Sequence, residues 1–135
     1  MSAVLDFPVK PEARDFLARF ARDAREPGWL AARRQQAMTR FAELAASGRE
    51  ALLAHDTERL ARLIDANFDT RRGIYRLPQW QVDMVETARR CGASAKFAGS
   101  GGAILGTYGG EAMFASVRDS LAALGSRTVK PQVCD

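Results

Sequence analysis

The sequence is poor in the residues that most often declare a chemistry. It holds two cysteines, Cys91 and Cys134, and a single histidine, His55, in 135 residues. Two thiols make no disulfide framework, and neither lies near the histidine, so spacing offers no zinc site. Reduced thiols fit a cytoplasmic protein. No run of about 18 apolar residues exists, so no membrane helix is expected. The opening Met1-Ser2-Ala3-Val4-Leu5-Asp6 lacks the basic start and apolar run of a secretory signal. There is no Ser-His-Asp or Cys-His grouping, and no carboxylate pair at an identifiable site. No catalytic residue and no metal ligand is assigned from these absences.

Other features are plentiful. Apolar residues make up 47% of the chain and charged residues 27%. That composition suits one folded domain and argues against disorder. Twenty basic against sixteen acidic residues leave a net charge of +4. Only Lys10, Lys96 and Lys130 of the basic residues are lysine. Acids are interleaved with the arginines, which fall on several helical faces rather than one stripe, so no nucleic-acid partner is expected.

The periodicity predicts helices first and a small sheet afterwards. Residues 1–11, with Pro8 and Pro11, read as an extended lead-in, followed by a helix over 12–25 that Pro27-Gly28 breaks. A second helix after Trp29 carries the stripe Met38, Phe41, Leu44 and Ala45, with Gly48 at its end and a short turn over 50–54. Asp56 is suited to cap a third helix with Leu60, Leu63, Ile64 and Phe68 on its apolar side. Pro78 opens a fourth, with Trp80, Met84, Val85 and Ala88, which Gly92 ends. Residues 93–98 and 103–108 are strand candidates around Gly99-Ser100-Gly101-Gly102. A helix over 111–124 follows, with Phe114, Val117, Leu121 and Leu124 on one face and Gly125 closing it. Residues 127–133 read as an edge strand because of Pro131. Trp29, Trp80 and Phe41 are expected in the core, and His55 at the surface. The expected class is α+β, helices packed on a small antiparallel sheet.

Two stretches could carry chemistry. The three glycines of residues 99–102 permit unusual backbone angles and leave room for a close ligand, and successive free N–H groups there can hold an anion. Lys96 adds charge beside them. The alternative is a plain hairpin turn. The loop is no Walker loop, lacking Gly-Lys-Ser/Thr, and no dinucleotide fingerprint, since a strand follows it. In Asn67-Phe68-Asp69-Thr70-Arg71-Arg72, an arginine fork can grip a carboxylate or phosphate, and Asp69 can meet sugar hydroxyls. The alternative there is a solvated helix end with a local ion pair.

Taken together, the two stretches resemble a known family. Lys96-Phe97-Ala98-Gly99-Ser100-Gly101-Gly102-Ala103 is similar to the third, glycine-rich motif of the GHMP kinases, which phosphorylate small alcohols and sugars with Mg-ATP. Asn67 to Arg72, between Leu60-Ala61-Arg62-Leu63-Ile64-Asp65-Ala66 and Met84-Val85-Glu86-Thr87-Ala88-Arg89, resembles the C-terminal half of glucuronokinases and their bacterial relatives, which act on an anomeric hydroxyl. The resemblance covers residues 29–133 and leaves 1–28 unmatched. It implies a ferredoxin-like C-terminal domain over 29–135. It also implies a phosphate site at Lys96, Gly99, Ser100, Gly101 and Gly102, and a sugar site at Asn67, Asp69, Arg71 and Arg72. Ala98 and Ala103 depart from the family's threonine and glycine. The family's N-terminal phosphate loop and catalytic aspartate are not found in this sequence. ATP and Mg2+ are therefore expected to act only with a separately encoded or lost N-terminal kinase half. The chain alone is expected to be inactive on its small sugar. The competing expectation is a non-catalytic ferredoxin-like module that binds a small anion or regulates.

Overall fold

The computed structural model describes residues 28–132. The expected lead-in and helix over 1–25, Cys134 and the last position of the expected edge strand lie outside them. Among the described residues the order is α1 (Gly28–Leu53), α2 (Thr57–Arg72), α3 (Gln79–Arg90), β1 (Lys96–Phe97), β2 (Ile104–Leu105) and α4 (Glu111–Ala122). The chain divides into two compact units, residues 1–36 and 37–135, and the core lies in the second. None of these helices is long and apolar enough to cross a membrane.

The helix boundaries follow local chemistry. Asp56 accepts a hydrogen bond from the Arg59 N–H at 2.9 Å, which satisfies a donor that the first turn of α2 would otherwise orphan. Pro78 immediately precedes α3, where its fixed φ suits the entry. Gly48 does not end a helix: α1 runs through it to Leu53, so the expected stop and the separate turn over 50–54 are one element. A lone glycine costs a helix only about 1 kcal/mol, which the flanking alanines and leucines outweigh. The helix stops at Leu53, and two residues on His55 takes a φ of 53°, outside the right-handed helical region.

The core is the meeting of α2, α3, α4 and the hairpin. Phe68, Val82, Val85, Ala88, Ala95, Phe97, Val117 and Leu121 are buried together. Phe68 of α2 meets Phe97 of β1 edge-on, with centroids 5.2 Å apart. Such a pair adds about 0.5–1.5 kcal/mol to the area it buries. The stripes expected for α2 and α4 face this core, with Ile64, Phe68, Val117 and Leu121 buried, but α4 ends at Ala122 and Leu124, expected on the same face, lies beyond it and is exposed. That of α3 is rotated: Val82, Val85, Thr87 and Ala88 are buried, whereas Trp80 is 56% exposed. In α1 the buried positions are Ala37, Leu44 and Ala51, seven residues apart, and Met38 is exposed. Trp29 is 67% exposed and Phe41 half-buried, so none of the three aromatics expected in the core is fully buried.

The sheet is antiparallel, pairing Lys96 with Leu105 and Phe97 with Ile104. It is shorter than the expected strands. The Thr107 N–H donates to the Ser94 side chain (3.0 Å) rather than to a backbone carbonyl, which interrupts the ladder at its open end. At Gly106 the backbones come so close that an added Cβ would overlap the Ser94 carbonyl. Residues 127–132, expected as an edge strand, carry no regular element. Pro131 lacks an N–H, and no described strand lies alongside to pair with them.

Candidate functional site

The hairpin presents its glycine loop at one end. The Ala98 N–H donates to the Ala103 carbonyl at 3.0 Å and closes the turn. Gly101 and Gly102 hold φ values of 133° and 81°, which side chains rarely tolerate. A Cβ on Gly101 would also run into the Gln81 carboxamide of α3. Among the described residues, the N–H groups of residues 99–102 make no backbone hydrogen bond. The result is a row of unengaged donors with no side chain over Gly99 or Gly102, geometry suited to an anion. The loop is therefore both the hairpin turn and a possible cradle, the two readings that the sequence left open. Lys96 sits on β1 beside it, with its ammonium 3.2 Å from the Phe97 carbonyl.

The second stretch forms the last turns of α2. Arg71 donates from Nη1 to the Gly99 carbonyl, and its guanidinium lies over the Phe97 ring, 5.4 Å from the centroid. Residues 28 positions apart in the chain thus meet at the loop. Asp69 accepts from Arg89 Nη1 at 2.8 Å and stays 59% exposed. Arg72, one residue on, points elsewhere: it donates to Glu86 Oε1 of α3 at 2.7 Å. A helix turns about 100° per residue, so adjacent arginines cannot share a target. Asn67 is half-buried, and its side chain makes no hydrogen bond among the described residues. Of the four expected sugar-site residues, Arg71 alone contacts the loop directly.

The residue that organises this region was not singled out from the sequence. Arg89, at the end of α3, donates to Asp65 Oδ1 (2.9 Å), Asp69 Oδ1 (2.8 Å), the Asp65 carbonyl (2.9 Å) and the Ala95 carbonyl (3.3 Å). Asp65 Oδ1 also accepts the Ala95 N–H at 2.9 Å. Arg89 lies over the Phe68 ring, 5.1 Å from the centroid. Two carboxylates four residues apart on one helix face repel unless a cation serves both. Arg89 does so, and the same cluster grips the chain just before β1. The spacing of Asp65 and Asp69 was the available signal. It corrects the expectation that no carboxylate pair could be located.

Elsewhere, hydrogen bonds from the Ser116 and Ser120 hydroxyls hold the Cys91 thiol below the ordinary cysteine range. A hydrogen bond to Glu111 raises Lys130 above the usual lysine value. Among the described residues no group of three His, Cys, Asp or Glu side chains could hold a metal ion.

Residues 49–126, more than half of the chain, match the family described as GHMP kinases C terminal. The chain belongs to that family. It is 46% identical over 71 residues to probable glucuronokinase 2 of Arabidopsis thaliana, and 45% identical over 71 residues to glucuronokinase 1 of the same plant. Each match covers 50% of this chain and 19% or 20% of the relative, so the chain spans about a fifth of the length of these proteins. No solved structure matches it.

Proposed function

We propose that this chain is the C-terminal part of an ATP-dependent sugar kinase acting on a glucuronate-like sugar, and that it works together with an N-terminal kinase portion. In this reading the two-stranded sheet belongs to a ferredoxin-like domain, residues 29–135 form that domain, and the assembly is cytoplasmic. The observation that carries the reading is the bond from Arg71 to Gly99, which joins the glucuronokinase-like stretch to the glycine loop. Family membership and the glucuronokinase relatives support it.

The residues present fit part of such a site. The unengaged N–H groups of residues 99–102 suit phosphate oxygens, with Lys96 beside them. Bound ATP would supply the phosphoryl group. Arg71 fixes the loop and keeps further N–H groups for an acidic sugar's carboxylate. Asp69, held by Arg89, presents its exposed carboxylate to sugar hydroxyls, and Asn67 adds a carboxamide at the same helix end. Arg72 braces α2 against α3 and stays out of the sugar site. Mg2+ is assigned to the N-terminal portion. Phosphoryl transfer depends on positioning and charge neutralisation around the γ-phosphate, which one supporting loop cannot provide.

The test is co-expression with glucuronokinase 1 of Arabidopsis thaliana truncated before its matching segment. The pair is assayed with Mg-ATP and a panel of sugars and uronic acids. Sugar 1-phosphate is expected from the pair and not from either piece, and Arg71→Ala is expected to cut kcat/KM by roughly tenfold or more. Turnover by the chain alone, or none from the pair, overturns the reading. ATP binding by the chain with no turnover in any combination favours the small-anion module instead.

A further inference from the structure

A cleft of about 880 Å3 lies between the hairpin and residues 126–131. Three features define what fits it. The first is the free edge of β2. Ala98 pairs with Ala103, Lys96 with Leu105, and the Ser94 N–H with the Thr107 carbonyl. Backbone groups alternate sides in an antiparallel ladder, so Ile104 and Gly106 turn theirs outward, toward the cleft they line. The second is the opposite wall. After the bond from Ser126 N–H to the Leu121 carbonyl, residues 127–132 make no backbone hydrogen bond among the described residues. Thr128 lines the same wall, and its hydroxyl is buried without a hydrogen-bond partner. The third is an apolar floor, to which Met84 of α3 and Phe114, Val117 and Leu121 of α4 contribute.

We infer that this cleft receives one extended β-strand from the N-terminal portion of the kinase. The strand pairs with β2 on one side and with residues 127–130 on the other, and sets alternate apolar side chains against α3 and α4. A helix satisfies its own backbone and would leave both walls unpaired; a strand supplies N–H and C=O groups at the spacing both walls lack. One strand backbone group also reaches the Thr128 hydroxyl. A second copy of this chain offers no such strand, because its described strands are two residues each and already joined in the hairpin. The relatives are about five times longer than the stretch they share with this chain, which leaves ample sequence to supply one. The source of the strand rests on the kinase reading; the strand geometry does not.

The test uses the intact chain and short overlapping peptides that cover glucuronokinase 1 of Arabidopsis thaliana outside its matching segment, together with peptides from residues 1–27 of this chain. Binding is followed by fluorescence polarisation and amide hydrogen exchange. One continuous window of the relative is expected to bind and to slow exchange at Ile104 and Gly106 by roughly tenfold or more. Ile104→Pro, which removes an outward N–H together with a side chain packed on the core, is expected to abolish that binding, whereas Ile104→Ala, which removes the side chain and keeps the N–H, is expected to retain it. Thr128→Val is expected to weaken it while raising the chain's own melting temperature, a combination that a general packing defect does not produce. Binding by no peptide, binding without protection of those two amides, or binding only by peptides from residues 1–27 overturns the inference. If no peptide binds yet the co-expressed pair makes sugar phosphate, the strand fails and the kinase reading stands. If the peptide binds and the pair is inactive, the reverse holds.

Discussion

Single residues set the closest tolerances of the hairpin. Gly106 has no room for a side chain, because the Ser94 carbonyl occupies the place of its Cβ. Gly106→Ala is therefore expected to destabilise the chain by about 1–3 kcal/mol, as overpacking against backbone does. Gly99→Ala, at a position with open space, is expected to stay within about 0.5 kcal/mol. Urea unfolding of the two variants side by side measures the contrast. Cys91 supplies a pH-dependent property. Its thiolate accepts the Ser116 and Ser120 hydroxyls, so its folded pKa lies below its unfolded one. The sign follows: this contribution to stability is present above the unfolded pKa and is lost as pH falls through the folded one. In a Cys134→Ser background, alkylation of Cys91 by iodoacetamide is expected to rise at lower pH in the folded chain than in urea. Ser116→Ala is expected to narrow the gap between the two profiles, with Ser120 retaining part of it.

At the scale of elements, α1 shows how weak a single breaker is. Gly48 lies inside a continuous helix, and a Cβ there would meet nothing within 4 Å. Gly48→Ala is expected to stabilise the chain by about 0.5–1 kcal/mol, read as a raised midpoint in thermal or urea unfolding. A loss of stability would mean that the glycine backbone is required there. The hairpin shows the converse. Its two-residue strands are too short to stand alone, and α2 anchors them through Phe68 on Phe97, Arg71 on Gly99 and the Asp65–Arg89 cluster at Ala95. The loop's position is therefore a property of α2 and α3 as much as of its own glycines.

At the scale of the molecule, the chain spans about a fifth of the length of the relatives it matches. Among the described residues, one wall of its apolar cleft, residues 127–132, makes no backbone hydrogen bond. A partner that binds only the folded form must stabilise it by mass action. Saturating amounts of the truncated glucuronokinase are thus expected to raise the melting temperature of the chain by several degrees, dependent on concentration. Scanning calorimetry of the mixture and of each component checks this, and an unchanged transition counts against a stable complex.

The described helices, and the starts of α2 and α3, were legible in the sequence because they rest on local chemistry, whereas the end of α1 was not, since Gly48 is carried inside it. Asp56 caps α2, Pro78 enters α3, and the 3.6-residue spacing of Ile64 and Phe68, or of Val117 and Leu121, marks the buried faces. The family was legible for a related reason: the glycine loop and the Asn67–Arg72 stretch each keep a compact run of residues. Tertiary structure decided the rest. Asp65, Asp69 and Arg89 are ordinary helix residues until α2 and α3 cross, and only that crossing makes one guanidinium serve two carboxylates and the start of β1. Arg71 and Arg72 are equivalent in composition, and the helix rotation alone sends one to the loop and the other to Glu86. Strand pairing is likewise non-local. Residues 127–132 have a sequence that permits a strand, but a strand exists only where a neighbour supplies the other half of each hydrogen bond.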